Sequence, residues 1–344
     1  MISILPVFCS TRLKGNWPSL VFAATLCACG PQQHDQRLDF YAFGTEVSVT
    51  LYSVTTPQAQ SATEQLQAHY ADVGHNWYPW RRGELHAINN AMRSGSRIDV
   101  SPRLAGVIRR AAEFELISGG RFNAGLGRLT ELWGLHEISA IPSTLPKKAD
   151  ITAILADSPG AARIDWDQDR AGTRSDFVML DLGGIAKGAI LEDSVTILLD
   201  LGISNAIINI GGDLTVLGNV RGRPARIGIR SPGNRSPIAS LSVDDGETVV
   251  TSGIYERFVE IAGIRYAHIL DPATGYPVDH AVSATVIHVD PVLADAAATA
   301  LIVGGTDEFD ALTEAFGLDL ALLIDSSGDV RLTPSMRERL HWIE

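Results

Sequence analysis

Beyond residue 29 this chain has no cysteine. The three it contains are Cys9, Cys27 and Cys29. The body therefore has no disulfide, no thiolate nucleophile and no cysteine-ligated zinc. Its stability must come from its core, and a hydrophobic content of 45% is ordinary for a protein that has one. Positive charge is also scarce. Twenty-eight Lys and Arg stand against 40 Asp and Glu, a formal net charge of −12 at pH 7. Nucleic acid is excluded as a main partner, because a phosphate-binding face should be basic. An acidic protein that handles a phosphorylated ligand needs a cation to bridge the charges. The body shows no internal repeat and no apolar run long enough to cross a bilayer. The 344 residues allow two domains or one large one.

The start of the chain reads as a targeting segment. Arg12 and Lys14 form a short basic region, followed by an apolar stretch from Leu20 to Ala28. It ends in Leu26-Cys27-Ala28-Cys29-Gly30, which resembles a bacterial lipobox with Cys29 as the lipidated residue. Residues 1–29 are thus expected to be a lipoprotein signal, residues 30–37 a polar tether and residues 38–344 the working domain. A plain cleaved signal is the alternative. Loss of Arg12 and Lys14 with the signal moves the formal charge from −12 to −14.

In the body, alternation in Val47-Ser48-Val49-Thr50-Leu51 predicts a strand over 46–52, paired with 39–43. Helices are expected over 57–73, from Pro102 to Gly119, over 293–303 and over 308–316. Strands are expected at 177–180, 206–210, 214–217 and 282–289, with a β-rich stretch over 224–270. Helices and strands interleave without a βαβ rhythm, so the fold class is α+β, with mixed, largely antiparallel sheets and packed helices.

The segment Asp181 to Gly188, DLGGIAKG, carries the most chemistry. Gly183 and Gly184 let the backbone approach a ligand closely, and a helix start just beyond offers N–H groups to an anion. It is neither a Walker A loop nor a G-x-G-x-x-G fingerprint. Asp295 and Thr299 stand four residues apart on the helix expected at 293–303, so they share a face. A carboxylate and a hydroxyl are hard oxygen donors suited to Mg²⁺ or Ca²⁺. A dipole-stabilised Asp beside a packing Thr accounts for the same spacing. His268 and Asp271 lie at a strand end and turn, where His268 serves either as a base or as a structural residue. Ser252 is not in a nucleophile elbow. Gly211-Gly212-Asp213 is either a hairpin turn or a point of ligand approach.

Taken in order, seven segments resemble the ApbE-type flavin transferases. They are FGT (Phe43 to Thr45), FNAGLG with LWG (Phe122 to Gly134), DLGGIAKG, NIGGD (Asn209 to Asp213), TSG-x-Y-E-R-F (Thr251 to Phe258), HILDPATGYP (His268 to Pro277) and DAAATAL (Asp295 to Leu301). The resemblance implies Mg²⁺-dependent transfer of FMN from FAD to a Thr or Ser hydroxyl of an exported redox protein, with AMP released. It implies metal ligation by Asp295, Thr299 and the main chain at Gly184. It implies FAD contacts at Phe43, an aromatic of the Trp77–Trp80 cluster (Tyr78), Arg121, Phe122, Asn123, Asp181, Lys187 and Ile269, with His268 as base. Relatives often have Met where this chain has Phe43 and Asp where it has Asn123, and some have a second carboxylate where it has Ala298. It also implies a lipid anchor on the bacterial inner membrane, facing the periplasm. Two rivals stay open: an FAD pyrophosphatase giving FMN and AMP, and a lipid-anchored flavin binder without turnover.

Overall fold

The computed structural model describes residues 33–136, 144–173, 175, 177–232 and 236–343. The signal segment and Cys29 lie outside the described residues. The domain opens with a hairpin of β1 (His34–Ala42) and β2 (Thr45–Val54). Val47, Val49 and Leu51 are buried while the residues between them are not, the period of two that one buried face imposes. There follow α1 (Thr56–Asn76), α2 (Glu84–Arg93), β3 (Ile98–Asp99), α3 (Pro102–Ile117), α4 (Gly127–Leu132), α5 (Lys148–Ala156), β4 (Ile164–Asp167), β5 (Arg170–Thr173) and α6 (Ala186–Asp200). A β-rich part comes next: β6 (Ala206–Ile210), β7 (Asp213–Leu217), β8 (Ala225–Arg230), β9 (Pro237–Val243), β10 (Thr248–Gly253), β11 (Phe258–Ile261), β12 (Ile264–Ala267) and β13 (Ala281–His288). The chain closes with α7 (Pro291–Phe316), β14 (Leu320–Asp325), β15 (Val330–Leu332), α8 (Pro334–Arg339) and β16 (His341–Trp342).

Eight strands make one sheet in the order β1-β2-β6-β7-β10-β13-β14-β15, each neighbouring pair antiparallel. Both of its faces are covered. Val250, Val286 and Leu323 point into the core shared with the helices, and α7 packs across β10, β13 and β14. Their neighbours Val249, Ile287 and Leu322 point the other way, into a second core closed by Leu241 and Val243 of β9 and Met336 of α8. A third apolar cluster joins Leu129 and Trp133 to Ile151, Val259 and Ile261, beneath the β11–β12 hairpin. The α+β reading, with largely antiparallel sheets, is the fold observed.

Two local expectations change. The tether was expected to reach residue 37, yet β1 begins at His34. The Asp35 carboxylate accepts the Ser53 N–H and pairs with Arg221, which extends the ladder. Residues 177–180 are not a ladder strand: Met179 makes a single parallel bridge to Leu126. The two helices expected at 293–303 and 308–316 are present as the two arms of α7, separated by a kink at Gly305, whose φ of 62° only glycine adopts without strain.

Candidate active site

The site is built where two helices meet. Asp290 starts α7 by accepting the N–H groups of Val292 and Leu293, and Pro291 fills the first turn. This turn lies against α6 at Gly188. A Cβ there would stand 2.3 Å from the Pro291 carbonyl oxygen, so only glycine permits the approach. One turn along α7, the buried Asp295 carboxylate accepts the Gly188 N–H at 2.9 Å. It also draws on the Lys187 N–H. A carboxylate from one helix thus caps the first turn of the other, where unpaired N–H groups and the dipole favour negative charge.

Four residues further on, Thr299 faces the glycine turn. A Cβ added at Gly184 would lie 3.2 Å from Thr299 Oγ1 and 3.3 Å from Phe122 Cε2. Ser252 Oγ lies 3.4 Å from Thr299 Oγ1. The structure therefore brings together Gly184, Asp295, Thr299 and Phe122, which the sequence scatters over about half its length. Asp181 opens the turn by accepting the Gly183 N–H at 3.0 Å, and Thr130 Oγ1 donates to its other oxygen at 3.4 Å. Burial raises the Asp181 pKa, an effect opposed by the Gly183 N–H and the positive Arg257.

Charge here is unevenly matched. The Lys187 ammonium pairs with Asp213, which is 1% exposed, and also lies in the field of Asp295. Burial alone would lower the pKa of Lys187, but the two carboxylates outweigh it and the pKa is raised. Burial raises that of Asp295, and Asp213 adds to the effect while Lys187 and the capping N–H groups oppose it. Two buried carboxylates thus share one ammonium. Asp213 Oδ1 also accepts the Thr251 N–H at 2.9 Å, tying Lys187 to β10.

His268 follows β12. Its Nδ1 lies 3.0 Å from the Arg257 carbonyl oxygen, which can only accept, so Nδ1 carries the proton and Nε2 keeps its lone pair. Burial and then the Arg257 charge pull its pKa down to about 4, and it is neutral at pH 7.

The remaining expected residues take varied places. Arg121 forks onto Glu308, with Nε 2.6 Å from Oε2, and approaches Asp271 at 3.8 Å. Asn123 donates to the Pro159 carbonyl at 2.9 Å and accepts the Gly125 N–H at 2.7 Å, which secures the neighbouring glycine loop. Ile269 is buried in the main core. Phe43, at a φ of 56°, packs edge-on against Tyr70 in the β1–β2 turn. That turn lies beside Gly211, which leads into Asp213. Tyr78 donates to the His136 carbonyl at 3.1 Å and meets Trp80 edge-on. Trp80 Nε1 and His136 Nδ1 are buried without a hydrogen-bond partner among the described residues.

From the sequence, Gly211-Gly212-Asp213 stayed open between a hairpin turn and a point of ligand approach, and Asn89 and Arg257 were given no role. Asp213 carried a signal, since a carboxylate entering the apolar run Leu214-Thr215-Val216-Leu217 must find a partner when buried. Asn89 also carried one, because it falls on the apolar stripe of Leu85, Ile88 and Met92.

Among the described residues no three His, Cys, Asp or Glu side chains gather as a metal centre. The donors that do converge are a carboxylate, a hydroxyl and a main-chain turn at a helix start. They are hard oxygen groups, set between helices beside an antiparallel sheet. The ApbE family profile matches residues 43–324, and the chain belongs to the ApbE family. A curated relative from Rhodobacter capsulatus, named FAD:protein FMN transferase, is 35% identical over 305 residues. That match covers 89% of this chain but 58% of the relative, so this chain spans little more than half of that protein. A Treponema pallidum protein of the same name is 32% identical, with 95% of this chain and 96% of the relative covered. The crystal structure of the ApbE protein of Thermotoga maritima superposes with a TM-score of 0.81 at 28% identity, covering 89% of this chain and 99% of that one.

Proposed function

We propose that this protein is an Mg²⁺-dependent FAD:protein FMN transferase. It moves FMN from FAD to a Thr or Ser hydroxyl of an exported acceptor protein and releases AMP. The observation that carries this reading is the convergence of Asp295, Thr299 and the Gly184 turn at the start of α6. The donor set fits Mg²⁺: all are hard oxygens, and two buried carboxylates beside one ammonium leave room for further positive charge. Asp295, Thr299 and the Gly184 main chain would hold the ion, which would neutralise pyrophosphate charge as the transfer proceeds. Where some relatives have a further carboxylate this chain has Ala298, so water takes the place of one protein ligand.

The chain's own residues do the rest. Lys187, paired with Asp213 behind the glycine turn, supplies the positive charge that the anionic part of FAD meets. The bond that forms joins the acceptor oxygen to the FMN phosphorus. The bond that breaks joins that phosphorus to the bridging oxygen, and AMP leaves. His268, neutral with Nε2 free, accepts the hydroxyl proton. The orphaned Trp80 and His136 ring nitrogens beside Tyr78 support an aromatic surface that receives a ring system of the ligand. Lipidation at Cys29 would anchor the domain to the inner membrane on its periplasmic side.

The test is incubation of the protein with FAD and Mg²⁺, with and without co-expressed acceptor domains, read by mass spectrometry. Covalent FMN on a Thr or Ser of an acceptor is the expected result. Free FMN and AMP with no protein-bound flavin would replace this reading with that of an FAD pyrophosphatase.

A further inference from the structure

Helix α2 carries two polar side chains on one side, three residues apart, that hold different parts of the site. Asn89 is 3% exposed. Its Nδ2 donates to the Leu180 carbonyl at 3.0 Å, and its Oδ1 accepts the Leu180 N–H at 2.8 Å. The flanking residues are held from elsewhere, since the Asp181 N–H donates to Ala124 at 2.8 Å and the Met179 N–H to Gly125 at 3.3 Å. In an extended segment, successive residues offer their backbone groups to opposite edges. Residues 124–126 take one edge, and the Asn89 amide takes the place of a missing strand on the other. This is why the apolar run before Asp181 is extended without joining a ladder. An amide among Leu85, Ile88 and Met92 is costly unless both its ends are bonded, and here both are.

His86 lies one turn back along the same helix. Its Nδ1 donates to the Pro79 carbonyl at 3.0 Å, within the aromatic segment Trp77–Trp80. One rigid helix therefore grips the aromatic segment with His86 and the lead into the Asp181–Gly184 turn with Asn89. We propose that Asn89 and His86 are positioning residues, and that α2 sets the separation between the aromatic surface and the metal-binding turn so that the two ends of one extended dinucleotide are received at a fixed spacing. The clamp is a property of the fold, while the ligand assigned to it rests on the proposed function.

The test compares Asn89→Ala, Asn89→Asp, His86→Ala and His86→Asn in the full chain. Asn89→Asp keeps the shape and the acceptor but sets an oxygen against the Leu180 carbonyl. His86→Asn keeps an N–H near the Nδ1 position. Amide hydrogen exchange measured by mass spectrometry should quicken over 180–184 in both Asn89 variants and over 77–80 in His86→Ala alone. Loss of one clamp should raise the Mg²⁺ concentration for half-activation by about tenfold in Asn89→Ala, and the FAD dissociation constant by about tenfold in His86→Ala. Each effect should leave the other quantity nearly unchanged, and His86→Asn should recover FAD binding. Unchanged exchange over 180–184 in folded Asn89 variants, or variants that lose only thermal stability while keeping wild-type Mg²⁺ and FAD constants, would overturn the clamp. A wild-type protein that neither binds FAD nor responds to Mg²⁺ would sink the proposed function instead, and the exchange measurement would still decide the clamp.

Discussion

The Asp295 carboxylate on α7 accepts the N–H of Gly188, 107 residues earlier in the chain and in the first turn of α6. One carboxylate thereby closes the start of a helix while lying buried at that helix's first turn. The N–H groups keep the carboxylate oriented, and the helix dipole keeps negative charge tolerable there.

Replacing Asp295 should separate these two duties. Asp295→Asn keeps an oxygen for the Gly188 N–H but loses the charge, while Asp295→Ala loses both. Both variants should lose turnover by on the order of a hundredfold or more. The Ala variant alone should also lose about 1.5–3 kcal/mol of stability, the worth of a hydrogen bond to a charged group. Turnover assays and urea unfolding distinguish these losses, and near-wild-type activity in either variant would remove Asp295 from the metal site.

Two glycines near the site should respond differently to alanine. At Gly184 the new methyl meets a hydroxyl and a ring edge at 3.2 and 3.3 Å. The fold should tolerate it while the Mg²⁺ needed for half-activation rises. At Gly188 the methyl meets backbone at 2.3 Å, where α6 and α7 touch. That variant should lose at least about 1–3 kcal/mol by overpacking. Thermal unfolding beside a Mg²⁺ titration checks both.

Lys187→Met should destabilise the protein by about 3 kcal/mol, because it leaves Asp213 and Asp295 buried without their cation. Adding Asp213→Asn should restore much of that loss, since an amide still accepts the Thr251 N–H. Turnover should not return with it. Denaturant midpoints of the two single variants and the double variant measure the coupling.

His268 gives a pH signature. Its folded pKa is about 4, against an ordinary value of 6.5. Between those values the unfolded chain binds a proton that the folded chain refuses. Its contribution to stability is therefore complete above pH 6.5 and is lost as the pH falls toward 4. His268→Gln should flatten that part of the pH–stability curve and also lose turnover at neutral pH. A variant that keeps both the slope and the activity would remove His268 as the base.

Cys29→Ala should leave the catalytic domain active but release it from the membrane fraction. Metabolic labelling with a radioactive fatty acid should mark the wild type and spare the variant. Equal membrane association of the two would refute lipidation at that residue.

Much of the fold could be read from the chain because its signals are local. The alternation of Val47, Val49 and Leu51 marked β2, and Ser101-Pro102 marked the start of α3. The errors came where a tertiary partner overrode the local pattern. Residues 177–180 have the apolar character of a strand, but their edges are taken by a loop and by the Asn89 amide. Residues 34–37 are polar enough for a tether, yet Arg221 and Ser53 draw Asp35 into the sheet. The ion pair of Asp213 and the clamp made by Asn89 could not be read locally, because their partners lie 26 residues earlier and 91 residues later.

Residue type and spacing settle which chemistries this chain can offer. Hard oxygen donors four residues apart on a helix, a double-glycine turn before another helix, and a body without thiols follow from residue type and spacing alone. That these pieces meet in one place follows from the packing of α6 against α7. The reason is steric and electrostatic: α7 can reach the start of α6 only where Gly188 leaves no side chain between them. The buried Asp295 is then held there by N–H groups that no other part of α6 can satisfy.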